Sequence, residues 1–493
     1  MRSAVLLLLA AGLVSAHIGS PDVYLDAKAG PYPLFVTIRP PSVIPGVAQI
    51  EARAASGEIT RILAAPLRMT GAGARLAPVP DQLQAAKDDP RTFTGALWLM
   101  ESGSSQIRIT VDGSEGPGVV SVPLPALAQS TRKMQPSLGG VLLALMIFLL
   151  IGLIAIAGAA VREAQLSPGA SPGAKLRRNG RVVMAVVAVL LIGLIWYCNS
   201  WWNAEAAEYS EYIYKPLDMK ASIEGATSLR LQLSDPGWLE WRKIDDFVPD
   251  HNHVMHLYMI RQPGLDVIYH LHPGMTGAGV FQLDMPSVPA GRYKLYADVV
   301  HEDGFPETLV SVIDLPAIAG RPLAGDDATG AAKLLGQAVV ATEFPLPDGY
   351  RMVFERPDAG FHAKRAQLFH FTLLDPHGAQ PDDMALYMGM LGHAAFVKSD
   401  GTVFAHIHPN GTVAMAAFMM AQKPYAPAEN PHASMNMAGM EMPKTSHMPE
   451  SSGSLPNAVS FPYGFPSAGS YRIFVQMKHG GTIETGVFDA AVQ

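Results

Sequence analysis

Histidines in the C-terminal half of the chain recur in a short motif that could bind a metal ion. The motif His-x-His-Pro occurs at residues 270–273 and again at residues 406–409, and a single histidine precedes each copy. Residues i and i+2 of a β-strand point to the same face, so the two histidines of each motif project together. Imidazole nitrogens bind copper, zinc, iron and nickel. The spacing therefore predicts two related metal sites, one formed by His256, His270 and His272 and the other by His393, His406 and His408.

Both motifs belong to an internal duplication of the region after about residue 203. A pair of aspartates precedes the single histidine at the same distance in both copies, and an Ala-Gly-x-Tyr motif begins at 290 and again at 468. His301 and His479 each follow the glycine of that motif by ten residues, so they are candidate fourth ligands. Several spacings that agree at once indicate two related modules.

At one place the two copies exchange one kind of metal donor for another. His251 and His253 of the first copy occupy the register of Met388 and Met390 in the second. Thioether sulfur selects Cu(I), whereas imidazole also suits Cu(II). We therefore expect the first module to hold a harder site that favours Cu(II) and the second module a softer site that favours Cu(I).

The second copy also contains a long insert, at about residues 410–458, rich in methionine and in proline, serine, asparagine and glycine. Such a composition cannot support a core, so we expect a flexible segment. Its soft donors suggest a metal-capture loop; they are His432, Met435, Met437, Met440, Met442, His447 and Met448.

Short runs of alternating apolar and polar residues, separated by proline and glycine turns, predict that the chain is mainly β. We expect three immunoglobulin-like β-sandwich domains plus two transmembrane helices. The expected β domains cover residues 17–131, 205–318 and 333–493. A linker rich in alanine, glycine and proline, near residues 316–332, separates the last two.

Residues 1–16 have the pattern of a signal peptide, whose removal would leave His17, an undecided ligand, at the mature N-terminus. Residues 135–161 and 182–204 lack charged side chains and are expected to be transmembrane helices. The loop between them, 162–181, carries five basic residues and one acidic residue, which indicates a cytoplasmic position. We therefore expect a protein of the bacterial inner membrane with both large regions on the periplasmic side.

Composition excludes several classes of protein. The net charge of −7 argues against nucleic acid as a partner. The single cysteine, Cys198, excludes intrachain disulfides, a four-cysteine zinc site and a cysteine-ligated iron–sulfur cluster. No nucleophile–base pair, phosphate loop or paired-carboxylate motif stands out, so we do not expect an enzyme.

The motifs at residues 250–257, 268–273, 297–302 and 392–413 resemble those of a poorly characterised group of bacterial envelope proteins. They are also similar to histidine-rich YtkA-like and FixH-like modules and, more distantly, to the CopC-like sandwiches of copper resistance. This resemblance implies periplasmic copper handling and an immunoglobulin-like fold.

Taken together, these patterns predict a membrane-anchored periplasmic copper-binding protein for copper tolerance or for delivery to a cuproenzyme. A copper donor or acceptor protein is then the expected partner, and zinc or iron would also suit the donors. Two alternatives stay open. One is a metal-dependent oxidoreductase that uses a three-histidine site, and the other is a non-catalytic envelope assembly or interaction protein with incidental histidines.

Overall fold

The structure is a computed structural model that describes residues 21–71, 76–131, 134–238, 242–336, 342–423 and 454–493. It is mainly β, as the alternating pattern predicts, and its sheets are antiparallel. The chain divides into two compact units, Ala128–Ile213 and the remainder. The N-terminal β region and both repeated modules therefore belong to one compact unit.

The N-terminal region forms two antiparallel sheets, in the orders β1-β2-β3-β7-β6 and β5-β4-β8-β9. Side chains of alternating strand positions, such as Val36 and Ile50, are buried. The strands are β1 (Val23–Ala29), β2 (Tyr32–Arg39), β3 (Gly46–Ala54), β4 (Ile59–Arg68), β5 (Asp81–Gln82), β6 (Gln84–Ala85), β7 (Thr92–Leu99), β8 (Gly103–Gly113) and β9 (Gly116–Ala126).

The unit Ala128–Ile213 contains two apolar helices, α1 (Pro136–Glu163) and α2 (Ala174–Glu211). Their most apolar windows have mean hydropathies of 3.0 and 2.4, and both helices are long enough to cross a membrane. The prediction of two apolar helices of that length is thus confirmed. Their ends differ from the prediction, since α2 begins within the expected loop at 162–181 and continues past residue 204.

The first module consists of two antiparallel sheets, in the orders β10-β11-β16-β15 and β12-β17-β13-β14-β19, with β18 added to β17. Strand β19 lies in the expected linker at 316–332 and pairs with β14, because its backbone completes the open edge of that strand. The strands are β10 (Asp218–Glu224), β11 (Ser228–Ser234), β12 (Phe247–Val248), β13 (His256–Gln262), β14 (Val267–Leu271), β15 (Gly274–Gly277), β16 (Val280–Asp284), β17 (Gly291–His301), β18 (Pro306–Leu315) and β19 (Ala328–Ala331).

The second module repeats this plan, with sheets in the orders β20-β21-β22-β26 and β23-β27-β24-β25 and with β28 added to β27. Helix α3 lies inside the insert expected to be flexible at 410–458, so that expectation is wrong for the helical part. The elements are β20 (Glu343–Pro345), a 3₁₀ turn (Pro347–Gly349), β21 (Arg351–Glu355), β22 (Gln367–Leu374), β23 (Met384–Ala385), β24 (His393–Lys398), β25 (Phe404–Ile407), α3 (Met415–Gln422), β26 (Ala458–Tyr463), β27 (Gly469–His479) and β28 (Thr482–Val492).

The histidine-bearing sheets of the two modules pack against each other. In β13, Leu257 and Met259 enter the core of the first module, while Tyr258 and Ile260 pack against residues of the second. Strand β24 behaves in the same way, since Ala394 and Phe396 enter its own core and the alternate residues face the first module. These strands are therefore buried on both faces, which explains their nearly continuous apolar sequence.

Equivalent residues of β17 and β27 reach across this interface in opposite directions. Lys294 donates a hydrogen bond to the carbonyl of Gly401 (2.7 Å), at the β24–β25 turn. Its counterpart Arg472 donates to the carbonyl of Leu265 (3.0 Å), at the β13–β14 turn. The two modules are thus related by an approximate two-fold axis, as in an isologous dimer interface.

The N-terminal region contacts the second module close to its second His-x-His-Pro motif. The amide of Asp26 in β1 donates to the carbonyl of Asn410 (2.8 Å), and the amide of Thr412 donates to the carbonyl of Tyr24 (3.0 Å). Gly411 lies so close to β1 that an added Cβ would be 1.9 Å from the Tyr24 carbonyl oxygen. Strand β1 therefore holds the turn that follows His408.

Candidate metal centre

Eight histidines form one continuous cluster where the two modules meet. The rings of His256 and His406, one from each module, have centroids 5.4 Å apart. Those of His251 and His393 are 5.0 Å apart. The members of the cluster are His251, His253, His256, His270, His272, His393, His406 and His408. The sequence predicted one cluster in each module, whereas the structure joins the two.

The cluster contains two groups of three imidazoles that could each hold a metal ion, with ligand atoms within 4.8 Å of one another. One is the expected set of His256, His270 and His272, which we call the first-module triad. The other combines His251 of the first module with His393 and His408 of the second, and we call it the crossed triad. His406, expected in the second site, lies behind the crossed triad instead of within it.

A tight turn carries His251 across the interface. The backbone groups of Asp250 and His253 form two reciprocal hydrogen bonds of 2.9 Å, and the two residues between them have positive φ values of 49° and 69°. A histidine with positive φ is uncommon and costs free energy, so the surrounding structure must hold it there. The turn aims His251 out of its own module and toward His393.

The crossed triad contains three ring nitrogens that have no hydrogen-bond partner. They are the Nε2 atoms of His251, His393 and His408, all of them buried. Nδ1 of His251 lies 2.8 Å from the carbonyl of Met388, and Nδ1 of His408 lies 3.2 Å from the carbonyl of Val413. A carbonyl can only accept, so each Nδ1 carries the proton and each Nε2 keeps a free lone pair.

His393 is oriented by a chain of polar groups that ends on a carboxylate. Its Nδ1 lies 3.1 Å from Nε2 of His406, and Nδ1 of His406 lies 3.3 Å from Asp298. Burial raises the pKa of Asp298 to about 7, against the hydrogen bond from Thr308. An ionised Asp298 accepts from His406, which then accepts from His393, so Nε2 of His393 also faces the triad as a lone pair.

In the first-module triad, most ring nitrogens already take part in hydrogen bonds. Nδ1 of His256 lies 3.1 Å from Nε2 of His270, and Nε2 of His256 lies 3.0 Å from the carbonyl of Asp250. Nδ1 of His270 lies 2.9 Å from the side-chain oxygen of Gln476. Nδ1 of His272 is paired with Asp327, and its buried Nε2 has no partner. The crossed triad therefore has more ring nitrogens that are free to bind an ion than the first-module triad has.

Burial keeps the imidazoles of His256, His393, His406 and His408 neutral. It lowers the pKa of His393 and of His406 well below the usual value, and neighbouring imidazoles act in the same direction. It also lowers the pKa of His408 to about 3 and that of His256 to about 4, although Asp250 opposes the shift in both cases. Metal binding needs deprotonated imidazole, so an ion entering at neutral pH displaces no proton from these rings.

Several polar residues that the sequence did not single out position the histidines. Asp326 lies 3.2 Å from Nε2 of His253, and both it and Asp327 come from the expected linker. Asp250 accepts from the amide of Ala416 (2.7 Å) in the first turn of α3, where a negative charge is favourable. The register of the repeat could have indicated Asp298 and Gln476, since they pair with His256 and His393 on the neighbouring strands.

His301 and His479 belong to separate pairs with carboxylates. Nδ1 and Nε2 of His301 lie 2.7 and 3.2 Å from Asp246 and Glu307. His479 faces Asp383 and Glu484, and its ring stacks on Tyr350 at 4.1 Å. The structure does not bring either histidine into a triad, because both strands turn these side chains toward acidic neighbours.

We expect His301 to make the stability of the protein depend on pH. Burial opposes its protonation, but the hydrogen bonds to Asp246 and Glu307 outweigh burial and raise its pKa from 6.5 to about 9. The folded state then binds the extra proton, so this contribution is complete below pH 6.5 and is lost as the pH rises through 9. The full effect is about 3 kcal/mol.

Urea unfolding of metal-free protein at about pH 6 and about pH 9.5 measures this contribution. In the His301→Gln variant the loss of stability between the two pH values should largely disappear. The His377→Gln variant, which changes an exposed histidine, should behave like the unmodified protein. Equal pH dependence in all three proteins would show that His301 is not protonated in the folded state.

The expected hard and soft sites are distributed differently from the prediction. His251 lies with His393 and His408 of the second module, and not with the first-module triad to which the prediction assigned it. His253 stacks on His272 with ring centroids 3.8 Å apart. Met388 and Met390 are buried in the turn equivalent to that of His251. The seven donors assigned to a capture loop lie outside the described residues.

The fold and the site define a class: a pair of two-sheet β modules around a shared, buried histidine cluster, in a chain with two helices of membrane-spanning length. The chain belongs to the family described as Domain of unknown function (DUF8832), whose sequence profile matches residues 210–314 and 343–493, more than half of the chain. The two matched stretches correspond to the two modules. No curated protein matches the chain in sequence.

Solved structures give only distant likeness. Alpha-2-macroglobulin of E. coli is 9% identical over 96% of this chain, with a TM-score of 0.16. Latent PorU of Porphyromonas gingivalis is 6% identical over 92%, with a TM-score of 0.14, and the D1-D4 ectodomain of ICAM-5 is 9% identical over 92%, with a TM-score of 0.13. The chain spans 25% of the first, 32% of the second and 74% of the third.

Proposed function

We propose that this protein binds a transition-metal ion, most specifically copper, at the interface of its two modules. The observation that carries the proposal is the crossed triad, in which three buried Nε2 lone pairs converge without hydrogen-bond partners. A buried polar atom without a partner costs about 1–3 kcal/mol, and native proteins contain few of them. A single bound cation explains all three atoms together, because the three rings each offer a nitrogen within 4.8 Å of the others.

The surroundings of the triad are those of a metal site. Ligating histidines commonly donate their other ring N–H to a backbone carbonyl or a carboxylate, which fixes the tautomer and the orientation of the ring. His251 and His408 use carbonyls for this, and His393 uses the chain through His406 to Asp298. The three imidazoles therefore need no rearrangement of their outer partners to receive an ion.

The donor set favours copper among the metals that imidazole binds. Hard cations such as Ca²⁺ and Mg²⁺ prefer oxygen ligands, which the triad lacks. Zinc and copper both accept three imidazoles, but the methionines of the equivalent turn and of the insert suit only a soft ion. The similarity of the motifs to YtkA-like, FixH-like and CopC-like modules supports the same choice, together with an immunoglobulin-like form for the β domains.

We further propose that the site lies on the periplasmic side of a bacterial inner membrane. Helices α1 and α2 would anchor the chain, and basic residues such as Arg162 and Arg178 between their apolar parts would stay in the cytoplasm. The flanking β regions would then share the opposite side, with residues 1–16 as their signal peptide. Binding there fits copper tolerance or transfer of copper to a partner protein.

Burial of the site favours holding an ion over catalysis. His251, His393 and His408 are 7%, 0% and 3% exposed. An oxidoreductase with a three-histidine site needs an open coordination position that its substrate can reach. The crossed triad instead encloses its ligand nitrogens between two modules and α3.

Equilibrium dialysis of the full-length protein in detergent against copper, followed by removal of free metal and elemental analysis, tests the proposal. The unmodified protein should retain copper, and the double variant His393→Ala, His408→Ala should retain less by one equivalent. The exposed His377→Ala substitution provides the matched control and should change nothing. If the double variant retains as much copper as the unmodified protein, the triad is not the binding site.

A further inference from the structure

The approximate two-fold axis assigns each residue of the crossed triad a counterpart in the other half of the cluster. His393 and His408 correspond to His256 and His272 in the repeat. The counterpart of His251 is Met388, a thioether in place of an imidazole. The axis therefore generates a second set of three donors, consisting of two imidazoles and one sulfur.

The backbone supports this equivalence. Tyr387 and Met390 form two reciprocal hydrogen bonds of 2.8 and 3.1 Å, as Asp250 and His253 do. Met388 has a φ of 50°, nearly the same as the 49° of His251. A methionine with positive φ is as unusual as a histidine with positive φ, so both turns hold a metal-donor side chain in a strained conformation.

The buried cluster that contains Met388 lies next to the first-module histidines. Its side chain is buried in a small cluster with Ala328 and Tyr387. Ala328 pairs with His270 across strands β14 and β19 and directly follows Asp327, whose carboxylate bonds His272. The Tyr387 hydroxyl lies 3.1 Å from Nδ1 of His270. The turn that carries Met388 thus packs against the first module, as the turn that carries His251 packs against the second.

The charges around the two sets of donors also differ. Asp250 lies near His251 and His408 of the crossed triad and also near His256, and Asp298 reaches His393 through His406. Their counterparts in the repeat, Tyr387 and Gln476, are neutral and contact His270. One carboxylate, Asp327, does contact His272, but Arg321 pairs with it at 2.6 Å and offsets its charge. The crossed triad therefore has the more negative surroundings, which suit a divalent ion, and the other set has the less negative surroundings, which suit a monovalent one.

We propose that His256, His272 and Met388 form a second site that takes a soft monovalent ion such as Cu(I), while the crossed triad takes a divalent ion. This inference rests on the proposed function of the crossed triad. Thioether sulfur selects Cu(I), whereas a set of imidazoles also accepts Cu(II) and Zn²⁺. The module carrying His251 thus provides two ligands of the softer site, the reverse of what the sequence alone suggests.

The hydrogen bonds determine which of the two proposed sites binds its metal ion first. Nε2 of His256 is 3.0 Å from the carbonyl of Asp250, and loading the softer site has to break that contact. The proton arrangement that frees this nitrogen is available, because Gln476 can accept from His270 and His270 from His256. The crossed triad has no such bond to break, so it fills first.

Competition with a chromophoric Cu(I) chelator, under reducing and oxygen-free conditions, tests the second site in full-length protein already loaded with one Zn²⁺. The zinc-loaded protein should take up Cu(I), with sulfur visible among its ligands by X-ray absorption. Met388→Leu removes the sulfur at nearly constant volume and should weaken Cu(I) binding at least about tenfold. Met390→Leu, in the same turn, serves as the control and should leave Cu(I) binding unchanged.

A gain of function keeps the test independent of any loss of folding. Met388→His recreates the donor set of the crossed triad at the second site, so this variant should bind a second Zn²⁺. If zinc-loaded protein takes up no Cu(I), or if Met388→Leu keeps both affinity and sulfur signal, the second site is refuted and the crossed triad stands. If Zn²⁺ binding itself does not depend on His251, the proposed function fails instead.

Discussion

The His251→Asn variant should bind its divalent ion more than about 100-fold more weakly than the unmodified protein. Loss of an outer hydrogen-bond partner of a metal ligand typically costs about 10–100-fold, and removal of a ligand should cost more. Asparagine is the appropriate replacement because it tolerates the positive φ of 49° at this position, which alanine does not. The other two histidines of the proposed site lie in the second module.

Zinc affinity measured by competition titration in detergent provides the readout. The matched control is His253→Asn, two residues away in the same turn, because His253 lies outside the crossed triad. It should leave affinity within about threefold of the unmodified value, a difference below 0.7 kcal/mol by the usual conversion of about 1.4 kcal/mol per tenfold.

A double-mutant cycle distinguishes one shared site from two separate ones. If His251 and His393 bind the same ion, the double variant should lose little more affinity than either single variant, since the site is already broken. If the two residues served separate sites, each single variant would lose one equivalent of bound metal from a different site. The double variant would then lose both equivalents. Additive losses would contradict the crossed arrangement.

The Arg472→Met variant should lose about 3–5 kcal/mol of unfolding free energy, the typical cost of removing one partner of a buried ion pair. Arg472 is 1% exposed and forms a two-pronged pair with Asp489, with bonds of 2.7 and 3.0 Å. It also donates to the carbonyls of Leu265 and Lys333 in the first module and the following segment. Without the guanidinium, the carboxylate and the carbonyls all lose their donor.

Urea unfolding of the metal-free protein measures the loss as a lower midpoint at unchanged slope. The counterpart substitution, Lys294→Met, is the control, because Lys294 is only half-buried and makes one comparable bond, to Gly401. It should cost no more than about 1.5 kcal/mol, the net contribution of an ordinary hydrogen bond. Equal, small effects for both variants would show that Arg472 does not fasten the modules.

The sequence indicated much of this arrangement through the repeat. Equal spacings identified the two modules, and strand periodicity put His270 with His272 and His406 with His408. Two-residue alternation says that such side chains share a face, but it does not say what covers that face. In this protein the other module covers it, so one of the two triads combines histidines of both modules.

Other features of the candidate site could not be predicted from the residues around them in the sequence. The turn that carries His251 needs two residues with positive φ, and histidine is an unusual choice for such a position. Asp326 and Asp327 lie in a stretch whose composition is that of a linker, and only tertiary packing turns it into β19 and a source of carboxylates. His301 and its counterpart His479 occupy matching positions in the repeat because each pairs with acidic neighbours. In the sequence, such a match looks the same as the matched spacing of two metal ligands.

The contact between β1 and the turn after His408 has a consequence for the order in which the molecule is made. Tyr24 and Thr412, which hydrogen-bond to each other, are 388 positions apart, and both apolar helices lie between them in the chain. Contacts of such separation form only after the intervening chain has been synthesised, and closing so large a loop slows folding. A nascent chain that still lacks the second module has no crossed triad. If the crossed triad binds an ion as proposed, metal loading of that site follows the synthesis of the second module.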